Sequence, residues 1–420
     1  MRVIVIGAGV SGLTAARDLS AAGADVVVVE ARDRIGGRTW THDLAGVPVD
    51  LGGSWIHGPF GNPLSEEVTR AGLVTRNDGT WGTGMAVWVE GSGWAPPPVV
   101  ATAVAVRTDF DFDEAVAALG REGTYREGID WYHADRRLDG LSAAVARFSL
   151  EWLDSALNIG GMPDEVSLTG SAAYQLHAGG NSAIDGGYRK LVDHLAAGLE
   201  IRLGESVLAI EHGGSGDALV STTSGTLRAD AVVVTVPLGV LKHRSITFIP
   251  EVPAHHAAAD RLGMATLEKV VLRFDTPVFP KHTRRISFVS DDHRFPAWAD
   301  MTHHAGAPTV IAFHNPRATD GMESWSSERR LDEAVSVLAT MVGGLPEPVA
   351  SHVTDWSHDP HAFGSYSFMP TGSSAGDMHT LSRPGSDRLF FAGEHTVPEY
   401  FGTVHGAYVS GARAATEVPA

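Results

Sequence analysis

The 420-residue sequence contains no cysteine. That absence excludes disulfides, thiolate metal sites and a cysteinyl bond to any prosthetic group, while leaving the compartment undecided. Long apolar runs are missing as well. No uninterrupted stretch reaches the roughly 20 residues that a bilayer-crossing helix needs, so no membrane partner is expected. The first strand starts at Arg2 with no basic and then apolar leader before it, which makes a cytoplasmic location the expectation. Positive charge is scarce: 32 Lys and Arg stand against 50 Asp and Glu, a formal net charge of -18. Such a field disfavours nucleic acid and anionic membranes, and it favours a cationic ligand entering a cleft. A solvated acidic surface that only aids solubility explains the same number without any ligand. The histidine pairs His255-His256 and His303-His304 lack H-x-x-H or carboxylate spacing, so no metal is assigned. Neither repeats nor low-complexity stretches occur. What is left is a globular composition, 43% hydrophobic, long enough for two cores.

The most informative stretch is Met1 to Glu30, which reads strand, glycine turn, helix, strand, acid. Val3 to Ile6 form an apolar run suited to a strand buried on both faces, and Gly7, Gly9 and Gly12 follow at G-x-G-x-x-G spacing. Gly7 permits the tight turn, Gly9 has no Cβ to hold a phosphate away, and Gly12 lets the helix pack close on the strand. The helix N-terminus then offers unpaired N–H groups and the positive end of its dipole. Val26 to Val29 give a second buried strand, and Glu30 at its end can accept hydrogen bonds from ribose hydroxyls. A dinucleotide is implied; NAD and FAD both fit these residues.

Further along, ARDRIGGRTW and DLGGSWIHG supply two more glycine turns, and Asn62-Pro63 reads as a helix N-cap and first turn. Met85 to Glu90 is an expected strand, and Pro96 to Pro98 are expected to end regular structure. Asp109 to Leu119, Leu141 to Leu157 and Asp164 to Tyr174 carry apolar residues at helical spacing, a helical insertion. Val207 to Glu211, Ala218 to Thr222 and Ala231 to Val236 look like the first sheet resumed. Met264 to Phe274, Arg285 to Val289, Thr309 to Phe313 and Val353 to Trp356 read as a second, mixed sheet, with Glu328 to Met341 a helix between the last two. The fold expected is α/β: a Rossmann-like nucleotide domain built from residues 1–75, 178–250 and 383–420, plus an α+β substrate domain, 76–177 and 251–382.

These motifs together resemble the flavin-dependent amine oxidases, the group of monoamine, polyamine and L-amino-acid oxidases and histone lysine demethylases. The segments that carry the resemblance are VIVIGAGVSGL, EARDRIGGRT, DLGGSWIHG, VVVTVPLGVL, EKVVLRF, GSYSFMPTG, LFFAGEHT and GTVHGAYVSGARAA. The resemblance implies FAD, held by Gly7, Gly9, Gly12 and Glu30 at its adenosine and pyrophosphate end, with Arg32 and Arg38 near the phosphates. It puts the backbone of Val207 at the adenine and assigns Gly37, Gly53, Ser54, Trp55, Trp356, Gly393, Glu394, Thr403 and Val404 to the rest of the cofactor. The helix after Gly402 is expected to aim its N-terminus at the flavin. Ser365 stands where monoamine oxidases have the cysteine of their flavin link, so FAD is expected to be non-covalent.

The resemblance also implies catalytic residues. Lys269 matches a lysine that holds a water at flavin N5; without the resemblance it would read as a strand lysine reaching the surface. Tyr366 matches one wall of an aromatic sandwich around the substrate nitrogen, and Thr403 replaces the tyrosine of the opposite wall, opening the cavity to longer amines. His57 matches a histidine near the flavin of polyamine oxidases. The implied reaction oxidises an amine C–N bond to an imine, hydrolysed to an aldehyde plus amine or ammonia, while O2 becomes H2O2. A polyamine is the substrate expected, with Asp154, Asp164 and Glu165 as candidates to hold its distal nitrogens. An L-amino-acid or aromatic-amine oxidase is the rival enzyme, and a flavin-binding protein without turnover is the rival of another class.

Overall fold

The computed structural model describes residues 1–136, 138, 140–214, 216–319 and 321–419. A five-stranded parallel sheet runs in the order Glu200–Arg202, Asp25–Val29, Arg2–Ile6, Ala231–Val234, Leu389–Phe391. Its strands come from three regions of the chain, and the central ones are buried on both faces, which is why they read as unbroken valine and isoleucine runs. The helix Val10–Ala21 follows the first strand, and the last helix, Val404–Glu417, packs across it.

A seven-stranded sheet carries the second half of the architecture. Its order is Ala350–Val353, Glu268–Arg273, Thr309–His314, Ala297–Asp300, Arg285–Val289, Met85–Val89, Gly93–Trp94. All neighbours are antiparallel except Arg285–Val289 with Met85–Val89. The helix Ser327–Val342 packs on this sheet through Val337, Leu338 and Met341. The insertion consists of Pro97–Asp109, Phe112–Leu119, Tyr125–Asp135 and Gly140–Phe148, continued by a wider π-helical segment, Ser149–Ile159.

Four sequence expectations need correction. Val207–Glu211 and Ala218–Thr222 do not resume the first sheet; with Gly225–Ala229 and Thr247–Ile249 they form a separate four-stranded sheet. Burial alternates along Ala218–Thr222, as it does where one sheet face meets water, Val207–Glu211 is exposed at Leu208 and Glu211, and only the wholly buried Ala231–Val234 joins the parallel sheet. Pro97 does not end structure but opens the helix Pro97–Asp109, because a first-turn N–H has no helical partner to lose. Met264 to Phe274 is two strands. Gly263–Met264 pairs with Ser367–Phe368, and the intervening Ala265 and Leu267 amides donate to Tyr366 and Ser365 instead of to the large sheet. Finally, the last strand is Ala350–Val353, and Trp356 lies beyond it in a turn.

One buried carboxylate ties the helices around the parallel sheet together. Asn62 caps the helix Pro63–Arg70 by accepting from the Leu64 amide at 3.0 Å. Glu67 on that helix is fully buried and accepts from Arg17 (2.7 Å), Tyr408 (2.8 Å), His194 (3.0 Å) and Arg70. Those partners lie on Val10–Ala21, Val404–Glu417, Arg189–Ala196 and its own helix. Burial opposes the charge, but Tyr408, Arg17 and Arg70 outweigh it and hold the carboxyl below its ordinary value. A depressed folded pKa contributes stability above the unfolded value, about 4.3, and loses it as pH falls through the lower folded value. Glu67→Ala should therefore cost about 3 kcal/mol in urea unfolding at neutral pH, and the charge-dependent part of that cost should be lost as pH falls through the folded value.

Candidate active site

A cavity of about 360 Å³ lies along the carboxyl ends of the parallel strands. That is where open parallel sheets bind ligands, because the crossover loops diverge there. It is lined by Glu205, Val207 and Ser245, by Gly7, Gly9, Glu30 and Gly37, and by Tyr366, Gly402 and Thr403.

The glycines differ in what they permit. A Cβ on Gly12 would stand 1.9 Å from the Gly7 carbonyl oxygen, so that glycine sets the strand-to-helix distance. A Cβ on Gly9 meets nothing within 4 Å, and the residue faces the cavity with ordinary extended dihedrals. The empty position therefore makes room for a ligand rather than relieving strain. Glu30 is buried at the strand end, where its carboxylate accepts from the Ala8 amide (2.7 Å) and the Arg32 amide (2.9 Å).

Two helix N-termini reach the same cavity. Val10 and Ser11 begin one helix; Val404 and Ala407 begin the other, with Thr403 as its N-cap. The Thr403 hydroxyl donates to the Tyr400 carbonyl (2.7 Å) and accepts from the Gly406 amide (2.9 Å), so its polar capacity goes to the cap. Gly53 presses against Val404, where a Cβ would lie 2.8 Å from the Val404 side chain. The positive ends of both dipoles favour an anionic ligand.

Cavity cations are paired. Arg32 donates to Asp359 at 2.8 Å, and Arg38 donates to Glu394 at 2.8 Å and to the Ser365 carbonyl at 3.1 Å. The buried Glu394 also accepts from Ser367 and from the Gly402 amide at 2.7 Å. Burial alone would raise its pKa, but Arg38 beside it, with Ser367, holds the carboxyl below its ordinary value. The Gly393 amide donates to Ser410 on the last helix at 2.9 Å.

Lys269 lies behind this wall. It is 5% exposed, and its Nζ donates to the Asp50 carbonyl (2.9 Å), the Gly52 carbonyl (2.6 Å) and Ser54 Oγ (2.7 Å). Gly53, between two of these partners, lines the cavity. The Trp55 and Phe313 ring centroids lie 5.9 and 5.8 Å from Nζ. Burial pushes the lysine pKa down, and Asp50 partly opposes that. The strand geometry explains the placement: Lys269 pairs with Phe313 in register, while Glu268 points to the other face and accepts from Thr354 and Ser357.

Tyr366 lines the cavity, and its hydroxyl donates to the Leu157 carbonyl in the π-helical segment. Burial drives the phenol pKa upward. Trp55 donates to Asp78 at 3.0 Å, and Trp356 donates to the Leu51 carbonyl at 3.3 Å. Both rings, like Ser54 and Gly12, stand behind the lining rather than in it. His57 is off the cavity too; its Nδ1 pairs with Asn181 Oδ1 at 2.9 Å, and burial lowers its pKa. Sequence reading missed Thr235, Ser245, Pro360 and His361, which line the cavity. Thr235 was legible as the first residue after a buried strand; the other three lie in loops with no spacing signal.

A parallel sheet with a glycine-walled cavity at its carboxyl edge, faced by two helix N-termini, defines a dinucleotide-binding protein of the Rossmann type. The chain belongs to the flavin-containing amine oxidoreductases, whose family model matches residues 10–91 and 124–419. Polyamine oxidase 3 of Oryza sativa subsp. japonica is 32% identical over 99% of this chain and 88% of its own length. Polyamine oxidase 2 of Arabidopsis thaliana is 31% identical, with 99% and 87% covered. Lysine-specific histone demethylase 1 homolog 3 of Arabidopsis thaliana is 31% identical, but this chain spans only 30% of its length. A putrescine oxidase double mutant redesigned in cofactor binding shares the fold, with a TM-score of 0.79 at 21% identity over 100% of this chain and 99% of that one. The protein is a flavin-dependent oxidoreductase with FAD as cofactor, and the open position at Gly9 fits that ligand. Among the described residues no cluster of His, Asp or Glu is arranged to hold a metal, and no helix is long and apolar enough to cross a membrane.

The two glycines separate folding from loading. Gly9→Leu should leave the thermal midpoint of the apoprotein nearly unchanged while the purified protein loses its yellow flavin absorbance. Gly12→Ala should lower the midpoint itself, read by circular dichroism.

Proposed function

We propose that the protein oxidises a C–N bond of a polyamine-type substrate, releasing an aldehyde and an amine after hydrolysis of the imine, with O2 reduced to H2O2. The observation that carries this reading is the buried Lys269 ammonium, set against two neighbouring aromatic rings behind the Gly53 wall. A lysine is not retained in such a place without a task, since burial of its charge is costly. FAD, when bound, accepts the two electrons of the amine. The chain's own residues do the rest. Tyr366 offers a ring face to the substrate nitrogen and keeps its orientation through the bond to Leu157. Lys269 holds or moves a proton at Nζ, and the apolar surroundings exclude water from the imine until it departs. In this reading residues 1–75, 178–250 and 383–420 bind FAD, while 76–177 and 251–382 bind the substrate.

The polyamine preference rests on the two similar polyamine oxidases and on the pairing of the cavity arginines. An amino-acid substrate would need a guanidinium for its carboxylate, and Arg32 and Arg38 are both already matched to carboxylates. The carboxylates suggested for the distal nitrogens already have partners. Asp154 accepts from Tyr125 and Arg107, Asp164 from Arg126, and Glu165 from Arg317. Distal ammonium groups would therefore depend on aromatic faces and backbone carbonyls.

Peroxide release should be found with spermidine or spermine in a screen that also contains putrescine, tyramine, acetylated polyamines and L-amino acids. Turnover of amino acids alone would overturn the assignment. Lys269→Met should keep FAD bound while slowing flavin reduction or reoxidation on the order of 100-fold in stopped flow; unchanged rates would remove the role given to Lys269.

A further inference from the structure

Lys269 sits in a cage of unusual completeness. An ammonium has three N–H donors, and here they meet the Asp50 carbonyl, the Gly52 carbonyl and Ser54 Oγ. Two of these acceptors are peptide oxygens, which can only accept. The third is a hydroxyl, itself within reach of the same two carbonyls at 3.2 and 3.1 Å. A hydroxyl can rotate between accepting and donating.

We propose that Ser54 is the positioning residue that lets Lys269 exchange its proton without moving a heavy atom. In the ammonium state, Nζ donates to all three oxygens and the Ser54 hydroxyl donates to a carbonyl. When Nζ gives a proton to water, two N–H groups remain on Asp50 and Gly52, and the Ser54 O–H turns to donate into the new lone pair. Every polar atom is satisfied in both states, which matters because an unmatched buried donor or lone pair is costly. The backbone supports this arrangement from behind. The Asp50 carboxylate is held by Thr41 and by the Tyr188 amide at 3.1 Å, which fixes the carbonyl that Lys269 uses. The titratable groups facing Lys269 are Asp50 and, beyond it, His304 and Tyr188; Trp55 and Phe313 on the other side carry no charge.

The inference rests on Lys269 being the proton-handling residue of the proposed reaction, yet it can be tested without turnover. Lys269 is one of only four lysines, with Lys190, Lys242 and Lys281. In the FAD-loaded chain labelled with ¹³C,¹⁵N-lysine, the Lys269 signal is identified by its loss in Lys269→Met. It should titrate below the ordinary lysine value. Ser54→Ala removes a charge-assisted bond from the ammonium and a weaker neutral one from the amine, so its midpoint should fall by about one further unit. Ser54→Thr, which keeps the hydroxyl, should restore it. An unchanged or raised midpoint in Ser54→Ala overturns the proposal, as does a Ser54→Thr midpoint that tracks Ser54→Ala. If Ser54→Ala fails to retain FAD, the same comparison on both apoproteins decides. Failure of every amine to turn over, with the titration as described, would sink the proposed reaction and leave the cage standing.

Discussion

Backbone has to touch backbone at two places for this cavity to exist. The missing Cβ of Gly12 lets the helix Val10–Ala21 rest against the Gly7 carbonyl, and the missing Cβ of Gly411 lets Val404–Glu417 rest against the Ser11 carbonyl, where a Cβ would lie 2.2 Å away. Ser11 and Ser410 then meet hydroxyl to hydroxyl at 3.0 Å. Two helices so closely stacked can bring both N-termini to one ligand, and a pyrophosphate is a ligand that rewards two positive dipole ends. Interiors packed at crystal-like density do not absorb an added methyl at such contacts by yielding locally. The separated segments of the chain are thus fastened beside the cavity.

Charge inside the protein follows a different rule from charge on its surface. Glu394 joins Arg38 from the first glycine turns to Ser367 and Gly402 from the far end of the chain, and Glu67 joins four helices. Asp78 likewise gathers Trp55, Arg285 and His304. Each carboxylate is held by several donors, as buried charges must be. The formal charge of -18 therefore says little about the charge balance inside the cavity. The acids that look available in the sequence are, in Asp154, Asp164 and Glu165, already committed to arginines.

Residues whose role is set by local spacing were legible. Gly7 to Glu30, the Asn62-Pro63 helix start and the doubly buried strands all announce themselves through turn chemistry and burial period, and the cofactor class follows from them. Placement that depends on contacts across the chain was not. Nothing around Lys269 indicates that Asp50, Gly52 and Ser54, over 200 positions earlier, close around its ammonium. Nor does GSYS reveal that the Tyr366 hydroxyl is spent on a carbonyl of a π-helical segment. The error over Val207–Glu211 and Ala218–Thr222 has the same origin. Short apolar strands look alike in sequence, and only the neighbour they pair with tells which sheet they join.

The cage around Lys269 bears on the hardest requirement of amine oxidation, which is that the reacting nitrogen be unprotonated. An acidic surface raises amine pKa values and so works against the reactive form. Within the cavity the balance reverses. The carboxylates that line the cavity are satisfied, Glu30 by the Ala8 and Arg32 amides, Glu205 by Thr222 and Glu394 by Arg38, whereas a buried lysine stands just behind the wall. A cation there disfavours a second cation nearby, and the aromatic face of Tyr366 accepts a neutral amine without requiring charge. In the proposed reaction the acidic exterior gathers cationic substrate, and the lysine with its aromatic neighbours helps strip the proton from the one nitrogen that reacts. Such a division of labour works only if Lys269 can stay charged while substrate binds and still take part in proton exchange later. A cage that satisfies both of its protonation states meets that demand.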